Sequence, residues 1–184
     1  MTRATKAVLG ANVLAIAVLL WSASGRTPPP SGPLDLRLAA TSLVSFGEDA
    51  GAGNLLGVQP YMEPLDYASA ERFRSRLARY LEEARSCGWL GSKTVVVLPE
   101  HLGTFLVALG EKDSIFAAPT IDGAMRTVVL SNVPAFIWNL ARTNEPRRTD
   151  EPPRDRARAA LFRMKTERMA EAYHSTFSSL AREL

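Results

Sequence analysis

The chain has 184 residues, 46% of them hydrophobic, and this length provides one hydrophobic core and short appendages. Its 22 basic and 19 acidic residues give a net charge of +3. Arg3, Lys6 and Arg26 account for that excess, and no arginine stripe with interleaved aromatic residues appears, so we expect no nucleic-acid partner. The single cysteine, Cys87, excludes an internal disulfide and a thiolate metal cluster, and the two histidines lack metal-ligand spacing. We therefore expect no metal and no cofactor.

Residues 1–26 have the pattern of a signal peptide or membrane anchor. Two basic residues precede an apolar run at residues 7–21, and small residues resembling a signal-peptidase site follow it. The run is shorter than the roughly 20 residues of a typical spanning helix, but Trp21 suits a membrane interface. We therefore expect a chain that is exported, or that is anchored in a membrane through residues 7–21.

Residues 27–53 form a predicted spacer and edge segment. The proline-rich stretch at residues 28–33 favours an extended conformation. Residues 36–46 have a composition that suits a strand or an irregular edge segment, and residues 47–53 are rich in glycine and predict a flexible loop.

A strand, a helix and a second strand are predicted next. Residues 54–59 are rich in apolar residues and are limited by Pro60. Residues 69–87 repeat apolar side chains at spacings of three and four, which predicts an amphipathic helix capped by Ser69 or Asp66. With a strand at residues 94–98, this order indicates an α/β fold with a parallel or mixed sheet.

The second strand leads directly into a carboxylate. Residues 94–98 are continuously apolar after Thr94, which predicts a strand covered on both faces. Pro99 cannot donate a ladder hydrogen bond, so Glu100 should stand at the carboxyl end of the strand, where open sheets gather reactive groups. The alternative is a solvated glutamate that opens a helix over residues 101–106.

The remainder of the chain is predicted to be helical. Residues 123–141 are apolar but interrupted by polar residues, which favours either a buried helical excursion or a segment on the membrane surface. Residues 147–153 predict a solvated hinge. The last helix carries a predicted apolar stripe of Phe162, Met169, Tyr173, Phe177, Leu180 and Leu184.

Two blocks of the sequence share one resemblance. The first has a strand ending in Val58-Gln59, then a helix, then a strand ending in Leu98-Pro99-Glu100; the second is the closing helix at residues 170–184. Together they resemble the opening of the carbon-nitrogen hydrolase (nitrilase) superfamily. The resemblance implies part of an α-β-β-α sandwich, over residues 54–184, with an insertion at residues 101–165.

The resemblance also implies a chemistry for a small-molecule amide or nitrile substrate. In the family a cysteine attacks the amide or nitrile carbon, a glutamate acts as general base and a lysine stabilises the tetrahedral intermediate. Glu100 corresponds to that glutamate. Cys87 precedes the glutamate and so does not match the family's order, and Lys93, Lys112 and Lys165 do not match its lysine. These 184 residues are therefore expected to be the N-terminal part of such an enzyme, inactive alone.

Two alternatives remain open for the function. One is a fragment of an enzyme similar to the lipoprotein N-acyltransferases, which combine membrane helices with this domain. The other is a non-catalytic, membrane-tethered α/β interaction module. An incompletely paired sheet would further predict self-association or a complementing C-terminal half as partner.

Overall fold

The computed structural model describes residues 3–23, 37–38, 42–48, 50–142 and 153–183. The described residues are mostly helical and include a two-stranded parallel sheet, which confirms a mixed α/β composition. The chain divides into two compact units, the first comprising Met1–Pro30 and Gly110–Thr166, the second Ser31–Leu109 and Glu167–Leu184. The elements are α1 (Arg3–Ala23), β1 (Asn54–Gly57), α2 (Ala70–Ser86), β2 (Thr94–Val97), α3 (Asp113–Phe116), α4 (Ile121–Ser131), α5 (Val133–Arg142) and α6 (Pro153–Glu183), with short 3-10 helices at Pro64–Tyr67 and Thr104–Ala108.

The second unit contains the predicted strand-helix-strand order. β1 and β2 pair in parallel, with Asn54 opposite Thr94 and Gly57 opposite Val97. The pairing continues past β1, because the Val58 N–H donates to the Val97 carbonyl at 2.9 Å. α2 makes the crossover between the two strands, as parallel pairing requires.

One of the two predicted caps of α2 is present. The Ser69 hydroxyl accepts a hydrogen bond from the Arg72 N–H at 3.2 Å, which satisfies one of the free amides of the first turn. The alternative cap, Asp66, is wrong because this residue belongs to the preceding 3-10 helix.

Asp66 instead forms a buried ion pair. Its Oδ2 accepts from the Glu63 N–H at 2.7 Å and from the Arg76 Nε at 3.0 Å. Both charged side chains are almost inaccessible, with 2% of Asp66 and 4% of Arg76 exposed. The pair joins the 3-10 helix to the middle of α2, so the sequence between β1 and α2 is held in place.

The core of the second unit lies between the sheet, α2 and the C-terminal part of α6. Phe73 of α2 is fully buried, and its ring makes an edge contact with the ring of Phe177 at 6.2 Å between centroids. The buried apolar members are Leu56, Tyr67, Phe73, Leu77, Leu81, Ala84, Leu102, Leu106, Ala172 and Leu180.

The two faces of the sheet differ, and the prediction of a strand covered on both faces is wrong. Leu56 is buried, whereas Leu55, Val95 and Val97 are 77%, 57% and 52% exposed. The reason is that the described residues of the second unit place helices against one face only, and alternate side chains of a strand point to opposite faces.

α6 follows the predicted hinge and buries only part of the predicted stripe: Leu180 is buried, and Met169 and Phe177 pack against the core. It begins at Pro153, and its buried residues between Leu161 and Leu180 include Lys165, Ala172 and Thr176. Tyr173, a member of the predicted stripe, is 45% exposed. The apolar pattern missed this face because two of its members are polar.

The first unit contains α1, α3, α4, α5 and the beginning of α6. α1 contacts α4 within this unit. One described helix is long and apolar enough to span a membrane: residues Arg3–Ser22 of α1, with a mean hydropathy of 1.8. Being near the N-terminus, it satisfies the criteria of a signal sequence equally well, so export and anchoring both stand.

Some predictions concern residues outside the described ranges. The spacer at residues 28–33 and most of the hinge at residues 147–153 are among these, as is Leu184. Residues 37–38 and 42–48, the described part of the predicted edge segment, contain no strand. The predicted domain limits 1–26, 27–53 and 54–184 stay predictions.

Candidate functional site

Glu100 lies in a turn that follows β2. The Leu102 N–H donates to the Pro99 carbonyl at 3.2 Å, and the Thr104 N–H donates to the His101 carbonyl at 3.0 Å. The chain then enters the 3-10 helix that begins at Thr104. Glu100 therefore follows the strand and begins a turn. The alternative of a solvated glutamate that opens a helix is confirmed in its first part, because Glu100 is exposed, and wrong in its second, because a turn and then a 3-10 helix follow.

The parallel pairing brings the carboxyl ends of both strands to one edge of the sheet. Gln59 follows β1 and Glu100 follows β2, and both side chains are exposed at that edge. Within the ranges that the structure describes, no hydrogen bond or ion pair engages the Glu100 carboxylate. A carboxylate in this position is accessible to a reacting group and is able to accept a proton from it.

A glycine sets the path of the chain after Glu100. A Cβ atom on Gly103 would lie 2.9 Å from Cδ2 of Tyr173, which is closer than side-chain contacts allow. The Tyr173 ring in turn packs against the Phe177 ring, with 4.5 Å between centroids. Gly103 thus lets the turn approach α6 closely, a role that only the folded contact reveals.

Cys87 and Lys93 lie at the opposite end of β2 from Glu100. Cys87 is the exposed C-cap residue of α2, and the Lys93 ammonium donates to the Gly51 carbonyl at 3.0 Å. Both precede β2, whose four residues span about 13 Å at about 3.3 Å each. Neither side chain is therefore placed to act together with the Glu100 carboxylate.

The other two lysines considered from the sequence have partners inside the first unit. Lys112 lies over the Trp21 ring, with its Nζ 3.9 Å from the ring centroid, and donates to the Trp21 carbonyl. Lys165 forms an ion pair with Glu111, and only 5% of the Lys165 side chain and none of the Glu111 side chain are exposed. Lys165 lies in α6, and its ammonium is committed to this ion pair, so it is not placed to act with the Glu100 carboxylate.

Glu111 is a residue that sequence reasoning missed. Its Oε1 accepts from the Lys165 ammonium and from the Asn132 Nδ2 at 2.8 Å. Asn132 also donates to the Val128 carbonyl at 2.8 Å, so the cluster joins α6 to the junction of α4 and α5. Glu111 and Lys165 are distant in sequence, and no local pattern links them. We interpret the cluster as structural, because buried charges are stable only when they are paired.

An apolar groove lies between β2, α2 and the end of α6. It has a volume of about 570 Å3 and is lined chiefly by α2, β2 and the end of α6. Because the Val97 carbonyl accepts from β1, the backbone groups of Val96 and Leu98 point to the other edge, where the described sheet has no third strand. The lining residues are Val58, Leu77, Leu81, Leu90, Gly91, Ser92, Thr94, Val96, Leu98, Phe177, Leu180 and Ala181.

Metal chemistry has no candidate site in the part of the chain that is described. Across those ranges, no three side chains of His, Cys, Asp or Glu come together in a group able to hold a metal ion. Comparisons with protein-family models, with curated proteins and with solved structures gave no match for this chain.

Proposed function

We propose that this chain supplies the N-terminal portion of a carbon-nitrogen hydrolase domain. In this proposal Glu100 is the general base, and the lysine and the nucleophilic cysteine lie on polypeptide beyond these 184 residues. The substrate is a small molecule with an amide or nitrile group. The domain is exported or anchored in a membrane through residues 7–21.

The position of Glu100 carries the proposal. Its carboxylate is exposed, stands at the carboxyl end of β2 in a parallel strand-helix-strand unit, and has no partner among the described residues. An exposed carboxylate in a turn is not needed for packing. The rim of a parallel sheet is where a base can meet a substrate held by neighbouring loops.

The uncovered parts of the second unit support the sandwich architecture. Leu55, Val95 and Val97 expose an apolar face that a second sheet would cover in a sandwich. The groove has an apolar lining, and the backbone groups of Val96 and Leu98 that point away from β1 meet no third strand among the described residues. Both features are expected of a domain whose remaining strands come from elsewhere.

The proposed reaction assigns the proton to Glu100. The carboxylate accepts the thiol proton as the cysteine sulfur bonds to the amide carbon, and it gives that proton to the departing amine. Water then attacks the thioester, Glu100 again accepts a proton, and the carboxylic acid and the thiol are released. For a nitrile the same attack gives a thioimidate, which water hydrolyses.

A non-catalytic interaction module is the second candidate. The observation that favours it is the same exposed face of Leu55, Val95 and Val97, because exposed apolar side chains on a sheet mark a contact surface. A third variant, acyl transfer at a membrane, is favoured by α1, whose apolar length suits an enzyme that works on lipid-linked substrates. The hydrolase and acyl-transfer variants share the role of Glu100, and the interaction module does not need it.

The proposal is tested by substituting Glu100 in the native protein and assaying it together with the polypeptide that carries the proposed lysine and cysteine. Glu100→Gln keeps the shape of the side chain and removes its basicity, so we expect amide or nitrile turnover to fall by about 10²-fold or more. Release of ammonia and of the acyl product, as free acid or as transferred acyl group, separates hydrolysis from acyl transfer.

Glu82→Gln is the matched control, because Glu82 is an exposed carboxylate on α2 away from the edge of the sheet. Turnover should be unchanged in this variant. Equal activity of the Glu100→Gln and Glu82→Gln proteins would contradict the role of Glu100 and favour the interaction module.

A further inference from the structure

The outer side of α5 is an exposed apolar helix face. No residue of α5 is buried, and Ile137 and Trp138 are 57% and 59% exposed. With Pro134 and Ala141, which are also exposed, they recur at spacings of three and four, so all four lie on one side of the helix. We call these four residues the α5 outer face. Such a face in water is unfavourable and normally marks a contact surface.

The end of α5 carries the chemistry of a membrane interface. The Arg142 guanidinium lies over the Trp138 ring, 4.3 Å from its centroid, and α5 contains no acidic residue. Tryptophan prefers the boundary between headgroups and acyl chains, and a guanidinium binds lipid phosphates. A helix of ten residues is about 15 Å long, too short to cross a bilayer, so it would lie along the surface.

The first unit also contains the helix that suits a membrane interior. α1 is about 32 Å long, close to the thickness of a hydrocarbon core, and none of its apolar window is buried in the protein. It contacts α4, and α4 is separated from α5 by Asn132 alone. Trp21 and Lys112 form a second aromatic-cation pair, here at the end of α1. α4 thus links α5 to a helix that is long and apolar enough to span a membrane.

We propose that the α5 outer face is a second membrane contact, which lies in the interfacial region of the phospholipid bilayer that α1 enters. Ile137 and Trp138 insert their side chains among the upper acyl chains, and Arg142 binds headgroup phosphates. The contact holds the first unit against the bilayer independently of the chemistry proposed for Glu100.

The test reads the depth of Trp138 directly. The chain has three tryptophans, so Trp21→Phe with Trp89→Phe leaves Trp138 as the sole emitter. This full-length protein is reconstituted in vesicles of phosphatidylcholine and phosphatidylglycerol, with or without bromine-labelled phosphatidylcholine. We expect the brominated lipid to lower Trp138 emission about twofold and aqueous acrylamide to quench it weakly.

A charge on the face provides the contrast. Ile137→Glu in the same background should remove most of the quenching by brominated lipid, because a carboxylate at this depth is unfavourable. Ser114→Glu, at an exposed position of α3 in the same unit, should leave the quenching unchanged.

Two outcomes would overturn the proposal. Strong quenching by acrylamide without quenching by brominated lipid would show that the face lies in water. Protection from both quenchers would show that a second copy of the chain or another protein covers it.

Discussion

Tyr67 shows how burial in the second unit changes the acid-base behaviour of a single side chain. Only 6% of the residue is exposed, and its ring packs against the rings of Phe73 and Phe105 at 5.7 and 5.6 Å between centroids. Burial, and then the negative charge of Asp66, raise the pKa of Tyr67 to about 12. The phenol therefore stays protonated in the folded chain when it would ionise in the unfolded one.

The raised pKa of Tyr67 predicts a loss of stability in alkali. Below pH 10 the phenol is protonated in both states, so its contribution to stability is complete. Between pH 10 and about 12 the unfolded phenol releases its proton and the folded phenol does not, so the free energy of unfolding falls. Denaturant unfolding across this range should show the decrease, and Tyr67→Phe should make it smaller. An equal decrease in the Tyr67→Phe protein would contradict the assignment to this residue.

The ion pair of Glu111 and Lys165 predicts that removing one charge lowers the free energy of unfolding much more than removing both charges. Glu111→Ala removes the carboxylate that faces a buried ammonium, so we expect the free energy of unfolding to fall by about 3–5 kcal/mol. Glu111→Leu combined with Lys165→Met removes both charges and should recover much of that loss. Denaturant unfolding of the native protein, of Glu111→Ala, of Lys165→Met and of the double variant measures these losses. A loss in the double variant as large as the sum of the two single losses would show that the pair is not a unit.

β2 presents an apolar face to solvent, and its outer edge has no partner strand among the described residues. Val95 and Val97 expose more than half of their surface, and the backbone groups of Val96 point away from β1. Exposed strands of this kind associate with other strands unless charges block them. The second unit should therefore self-associate or bind a complementing segment through β2.

A lysine on this face separates association from stability. Val95→Lys places a charge on an already exposed position, so the free energy of unfolding should change by less than about 0.5 kcal/mol. Self-association, measured by sedimentation equilibrium, should weaken markedly. Glu82→Lys, at an exposed position of α2, is the control for an added lysine, because Glu82 lies on a helix and not on the sheet. Unaltered association in the Val95→Lys protein would show that β2 is not the contact.

The strands and the helix of the second unit could be predicted from short stretches of sequence. Which elements pack over each strand could not be predicted in this way. The apolar runs that precede Pro60 and Pro99 predicted both strands, and Ser69 as N-cap predicted the start of α2. The prediction that both faces of β2 are covered was wrong. An apolar run indicates that the residues favour a strand, but it does not indicate which elements pack over that strand. The position of Glu100 followed from the strand, whereas the path after it depends on the Gly103 contact with Tyr173.

The two units of the chain contain the residues of different proposals. The first unit contains α1, the α5 outer face and the buried Glu111 cluster, which concern the membrane and stability. The second unit contains Glu100, the groove and the open sheet face, which concern the proposed chemistry. The pairing of Glu111 with Lys165 was not predictable, because long-range contacts between polar residues leave no periodic trace in the sequence.

We propose that Glu100 is the base of a carbon-nitrogen hydrolase and that its lysine and cysteine lie outside these 184 residues. The most direct test compares ammonia release from a panel of amides and nitriles by the native protein, by its Glu100→Gln variant and by the 184-residue chain alone. We predict turnover by the native protein, a loss of about 10²-fold or more in the Glu100→Gln variant and none by the chain alone. Turnover by the chain alone, or full activity without the Glu100 carboxylate, would contradict the claim.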